Sequence, residues 1–192
     1  MKRLTTIFAV LALILTAAPS SFAADTYEYG WSISGSSVDP FANTGAFVPG
    51  LGTLYLWYQC NVKDGMSAAE FDIVSANAAN VFLSFSATNG FLNAGNGNAL
   101  LIAVGACPSG PIVAGTILIL KNAPGEYCIA PSASNGISVT VDCDTNPTTH
   151  DNVVVGWSDA GAPSCDGRID GLLCNPVSVD ATSWGQVKGL YR

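Results

Sequence analysis

The chain has 192 residues, 49% hydrophobic and only 11% charged, with 20 Gly, 10 Pro, six Cys and a single His. That length suits one well-filled core rather than two domains, and so few charges exclude a coiled coil or a disordered acidic tail. Seven basic against fourteen acidic residues leave a net charge of -7, which argues against nucleic acid and anionic membranes as partners.

Lys2 and Arg3 precede an apolar run over 7–18, then Pro19 and the small-residue pattern Ser21-Phe22-Ala23. A basic head, an apolar middle and small residues at the cut read as a secretory signal peptide over 1–23. The run is shorter than the ~20 residues that span a bilayer. Residues 24–192 then form a single secreted β-sandwich domain, with 180–192 a short tail and no insertion of the mature chain into a membrane. Cleavage after Ala23 removes Lys2 and Arg3, so the mature chain is more acidic still.

Beyond the leader, apolar residues alternate or run in short blocks, broken by pairs such as Pro49-Gly50, Asn89-Gly90, Asn96-Gly97, Pro124-Gly125 and Asn135-Gly136. The blocks predict strands over 27–33, 53–59, 71–74, 81–86, 99–104, 116–120, 127–130, 137–142, 153–157 and 177–179. Many short strands at this spacing indicate an all-β fold, an antiparallel β-sandwich of jelly-roll or Ig-like type with about nine strands. Residues 53–58 and 117–120 are apolar on both faces, as in central strands covered on two sides. Val81, Leu83 and Phe85 alternate with Ser84 and Ser86, as in a strand with one wet face. Only 67–71 has local helix-forming character, and it is too short to nucleate a helix.

All six cysteines lie beyond the leader, and an even count in an exported chain reads as three disulfides. None falls in the close pairs that zinc sites favour. A two-residue primed turn at Asn135-Gly136 sets Cys128 directly across from Cys143, within disulfide reach. Cys165 and Cys174 then clip a surface loop, which leaves Cys60 with Cys107.

Residues 55–61, followed by Gly65-Met66-Ser67-Ala68-Ala69-Glu70-Phe71-Asp72, resemble the opening strands of cohesin-like modules. Ala114-Gly115-Thr116-Ile117-Leu118-Ile119-Leu120 is similar to their late glycine-then-strand segment. The resemblance covers 53–120 and implies a cohesin-like sandwich rather than an activity. The ending 182–192, with Trp184 and Tyr191, resembles the ends of secreted bacterial proteins.

Chemistry is sparse. A Ser-His-Asp set would have to use His150, in the polar stretch 144–152, and there is no G-x-S-x-G elbow. A lone His in such a stretch reads as solvated. Glu28, Glu70 and Glu126 are the only glutamates, and nothing local brings two acids together as glycoside hydrolysis requires. Asp72 reads as a solvent-face residue. No metal or cofactor is required. Calcium is the one ion with oxygen donors in suitable turns, at Asp142, Asp144 and Asp151 or at Asp166 and Asp170, although Pro147 and Val153 stand where a calcium loop needs Gly and Glu.

Tyr27, Tyr29 and Trp31 alternate, so one strand face carries three rings, a platform of the kind carbohydrate-binding sandwiches use to stack sugars. The competing role for such rings is packing against the opposite sheet; Trp57 and Trp157 read as core. These features predict a non-enzymatic binding module, secreted from or displayed on a bacterial cell, that recognises a glycan or protein partner. A surface assembly subunit using open strand edges is the second reading. A hydrolase with an unfamiliar site is the third.

Overall fold

The computed structural model describes residues 29–59 and 65–168. Among them are twelve strands and no helix: β1 (Gly30–Ser34), β2 (Gly50–Tyr58), β3 (Met66–Ser75), β4 (Val81–Ala87), β5 (Phe91–Asn93), β6 (Ala99–Val104), β7 (Ile112–Lys121), β8 (Glu126–Ala130), β9 (Val139–Asp142), β10 (Thr149–Asp151), β11 (Val153–Val155) and β12 (Trp157–Ser158). The all-β expectation holds. The segment 67–71, helix-forming by local composition, lies inside β3, where two neighbouring strands supply the pairing a lone helical turn lacks. Tyr27, Cys60, Cys174, the leader, the strand expected at 177–179 and the tail lie outside the described residues.

Two sheets face each other. The first has the order β11-β1-β2-β7-β4; the second runs β10-β9-β3-β6-β5, with β8 on β3 and β12 on β8. The sandwich is not purely antiparallel, since β1 pairs with β11 in parallel. Leu54, Leu56, Tyr58, Ile117 and Ile119 of the first sheet pack against Phe71, Ile73, Leu100 and Ile102 of the second.

The pair β2–β7 is central in its sheet but not covered on both sides. Its inner residues are buried, whereas Leu51 is 71% and Leu118 37% exposed on the outside. β1, by contrast, is enclosed on both faces, because the loop after it folds back: the Ser32 hydroxyl donates to the Pro40 carbonyl and the Ser34 hydroxyl to that of Asp39. The simple alternation expected in β4 is also broken. A bulge between Phe82 and Ser84 adds one residue, so Phe82 and Phe85 both pack against the core while Val81 and Leu83 stay exposed.

The largest correction concerns β8 and β9. The hairpin expected at Asn135-Gly136 does not form; both strands pair with β3 along the same edge, β8 against 72–75 and β9 against 66–70. Asn135-Gly136 instead closes a small loop over 131–138, in which the Gly136 amide donates to the Ser132 carbonyl at 2.7 Å. Cys128 and Cys143 are therefore end to end along one strand line, not opposite each other.

The observed disulfides are Cys107–Cys143 and Cys128–Cys165, so none of the three expected pairings forms. Cys107, just past β6, joins Cys143, just past β9, across the start of β3 that lies between those two strands. Gly65 sits beneath this strap at φ +82°, where a Cβ would collide with the Cys107 carbonyl. Cys128–Cys165 ties β8 to the chain after β12. The chain leaves the first sheet at β11 and enters the second at β12 through Gly156, where a Cβ would strike the Cys165 sulfur. Peptide mapping of the unreduced protein is expected to recover Cys107–Cys143 and Cys128–Cys165 linkages; a Cys128–Cys143 peptide would contradict this topology.

Candidate functional site

Of the three rings expected to form a platform, the two among the described residues are not on the surface. Tyr29 is 1% and Trp31 0% exposed, because β1 is an inner strand with a loop on its outer face. Trp31 stacks between Tyr58, at 5.3 Å between ring centroids, and Phe71, edge-on at 5.1 Å. Its indole N–H donates to Thr140 Oγ1 at 2.9 Å, and that hydroxyl donates to Asn152 Oδ1 at 2.6 Å. Rings read as a sugar platform are thus the bolt between the sheets; alternation puts side chains on one face but cannot say which face is the core. Trp57 and Trp157 are buried as expected. Replacing Trp31 by Ala is expected to cost about 3–5 kcal/mol, and Thr140 by Val about 1–3 kcal/mol, in chemical denaturation.

At one border of the sandwich His150 leaves the role of a solvated loop residue. It lies on β10 opposite Thr140, with its ring 4.7 Å from that of Tyr29. Its Nε2 is 2.9 Å from Asp142 Oδ2, and the Thr148 hydroxyl donates to the same oxygen at 2.5 Å. The amides of Asp144 and Thr148 donate to Asp142 Oδ1 at 3.2 and 3.0 Å. An ionised carboxylate only accepts, so Nε2 carries a proton, and both hydroxyl and imidazole donate to one acid. The Thr148 hydroxyl also lies 3.0 Å from His150 Nε2, but with its own proton on the Asp142 carboxylate it faces an imidazole nitrogen that already carries one, which is not the order of a nucleophile and its base.

These donors, the Thr148 hydroxyl first and His150 second, hold the Asp142 carboxyl well below the usual carboxylate range against the opposing effect of burial. The turn 143–148 wraps the carboxylate that a calcium loop would have lent to the ion. Asp142 shares the inward face with Thr140, whereas Asp151 lies opposite Val139 on the outward one. At the second acidic turn Asp166 is engaged by the Arg168 guanidinium, and Asp170 lies outside the described residues.

Because its folded-state pKa is depressed, Asp142 contributes stability that is present above the unfolded carboxyl value of about 4 and lost as pH falls towards the folded one. Asp142→Asn is expected to be less stable than the wild type at pH 7. Its deficit in denaturation midpoint should shrink steadily as the pH is lowered below about 4. A deficit unchanged down to pH ~2 would contradict the network.

The outer face of the second sheet is where exposed residues converge. Direct pairing sets Leu92 beside Ala103, Ala103 beside Ala68, Ala68 beside Val141 and Val141 beside Thr149. The adjacent row is Leu101, Glu70, Val139 and Asp151. Leu92 is 69% and Leu101 44% exposed, and Val139 and Val141 are half-buried. The loop 131–138 stands at one end of this face. Glu70 accepts from Asn135 Nδ2 at 2.8 Å and from the Ser134 hydroxyl at 3.4 Å, and Asp72 accepts from the Ala133 amide at 3.1 Å. Asp72, expected to meet solvent, points outward but is roofed by that loop and only 6% exposed.

Glu70 and Glu126 are not brought together. Glu126 lies beyond the Tyr127–Ser75 pair, ~20 Å of strand from Glu70, and accepts from Ser164 instead. The alternation of Ala68, Glu70 and Asp72 was a usable signal for one strand of this face. The other strands join it through pairings that no local pattern encodes.

No family model matches the chain, and no curated protein matches it. Among solved structures it is similar to cohesin modules, as the residues at 53–120 also suggest. The sixth cohesin of Acetivibrio cellulolyticus scaffoldin B, solved with a Cel5 dockerin, is 16% identical over 68% of this chain and 96% of that one, at a TM-score of 0.48. The seventh type I cohesin of Pseudobacteroides cellulosolvens ScaB is 18% identical over 72% and 96%, at 0.46. A cohesin module of a Clostridium perfringens family 33 glycoside hydrolase is 9% identical over 67% and 99%, at 0.47.

Proposed function

We propose that the chain is an exported, non-catalytic module that docks a protein partner on the outer face of β9, β3, β6 and β5. The observation that carries this reading is the uncovered apolar face itself, with Leu92, Leu101, Val139 and Val141 around the Glu70 carboxylate. Contiguous exposed apolar residues beside polar ones on a rigid sheet are the ordinary make-up of a protein interface. Glu70, already oriented by Asn135, and Asp151 favour a partner that brings basic groups beside its own apolar side chains. Sugar recognition has less support, because Tyr29 and Trp31 are packed inside.

Two disulfides support export to an oxidising space. No helix among the described residues is long and apolar enough to cross a membrane. Absence of catalysis is favoured by the arrangement around Asp142, whose carboxylate accepts from both the Thr148 hydroxyl and His150 Nε2.

The test is capture by the oxidised, immobilised chain from the culture medium of the producing cells, alongside a glycan array. A protein partner is expected, with binding at least about tenfold weaker for Leu101→Asp and for Glu70→Lys, each with an unchanged circular dichroism spectrum. Binding to polysaccharide alone, or capture that ignores both substitutions, would overturn the proposal.

A further inference from the structure

From Ile73 to Leu120 the chain contains no Asp, Glu, Lys, Arg or His. This stretch supplies β4, β5, β6 and all of β7 but its last residue, the buried Lys121. The fold gathers them on one side, β4 beside β7 at the border of the first sheet and β5 beside β6 at the border of the second. The turn at Asn89-Gly90 links the two borders, with Asn89 at φ 54° and Gly90 at φ 83°. Among the described residues, one side of the sandwich is therefore neutral, and the charges that make up the net -7 lie elsewhere in the sequence.

Among the described residues, β4 pairs only with β7, so its other backbone edge is open. Its seven residues, VFLSFSA, include no charge and no proline, two of the devices that stop a border strand from recruiting another, and beyond the bulge at Leu83 the stretch 84–87 runs in regular register. The adjoining outer face is also uncharged: Val81 lies beside Leu120, which lies beside Leu51, and Ser84 lies beside Leu118, which lies beside Thr53. Leu51 is 71%, Val81 44%, Leu83 43% and Leu118 37% exposed.

We infer that β4 pairs antiparallel with β4 of a second copy of this chain, joining two five-stranded sheets across a two-fold axis. Two acidic molecules repel wherever their charges face each other, and this neutral side is where that repulsion is smallest. A strand paired antiparallel with its own copy closes the β4 edges of both molecules in one contact, and a two-fold contact of this kind does not itself propagate. The border offers no charge with which to select a foreign chain. The Leu51, Leu118 and Val81 patches of the two copies become continuous across the join. The inference concerns the border and outer face of the first sheet, whereas the Glu70 face is the outside of the second, and it does not rest on the function proposed for that face.

Sedimentation of the oxidised full chain from about 1 μM to about 1 mM, with amide hydrogen exchange at both ends of that range, tests it. A monomer–dimer equilibrium is expected that tightens as salt is added, because screening weakens the repulsion of two acidic bodies. Backbone amides of β4 should gain protection with concentration. Ser84→Lys, and independently Ser86→Lys, should weaken the dimer at least about tenfold at an unchanged melting temperature. A monomer throughout the range would overturn the inference. So would a dimer indifferent to both substitutions, or one whose protected amides lie elsewhere.

Discussion

Trp31 is the point at which the two sheets become one structure. Its ring lies between Tyr58 of its own sheet and Phe71 of the other, and its N–H reaches Thr140 across the interior. A buried indole without a partner for that N–H would carry a penalty comparable to the whole gain of a typical hydrogen bond. Thr140 is therefore fixed in position on β9, and through it Asn152, whose amide donates to the Ser138 hydroxyl at 3.2 Å. The β9–β10 border, with His150 against Tyr29 and Asp142 at its end, is built outward from this bond.

A second cross-sheet tie closes the other end of the molecule. Lys121, the last residue of β7, reaches Asp159 at 3.2 Å and lies 5.1 Å from the centre of the Trp157 ring. Both side chains are almost fully buried, so removing either partner would leave the other charge without its counter-charge in the interior. Asp159 also accepts from the Gly125 amide at 2.8 Å. Burial first, and this carboxylate second, push the hydroxyl of neighbouring Tyr127 up to about 12. The disulfides act between these ties: Cys107–Cys143 straps the start of β3, and Cys128–Cys165 holds the chain just after it has changed sheets.

With the interior fixed in this way, the two outer faces differ in chemistry. The outside of β9, β3 and β6 mixes leucine and valine with Glu70 and Asp151, and a loop stands over its carboxylates. The outside of β2, β7 and β4 holds only apolar and hydroxyl side chains at its paired positions. A sandwich of this kind can present two unlike surfaces to two unlike partners without any change of conformation. Both surfaces rest on strands, so their residues are held in place before anything binds.

The strands themselves were legible locally. Alternation and turn chemistry located β2, β4, β6, β7, β8 and β9, because period-two patterning and glycine or asparagine at turns are properties of neighbouring residues. β5, β10 and β12, each only two or three residues long, left no such pattern, and β10 was hidden in a polar stretch. The cysteine count and the leader pointed to an oxidised, exported chain, but not to which sulfur meets which. That depended on whether Asn135-Gly136 closes a hairpin or only a loop, and β3 decided it by offering both strands a place along one edge. In the same way, alternation put Tyr29 and Trp31 on one face, but only the position of β1 within its sheet turned that face inward. Which residues can pair is written in the chain; which do pair is a competition among distant segments for the same backbone groups and the same buried surface, and it is settled only when all of them are in place.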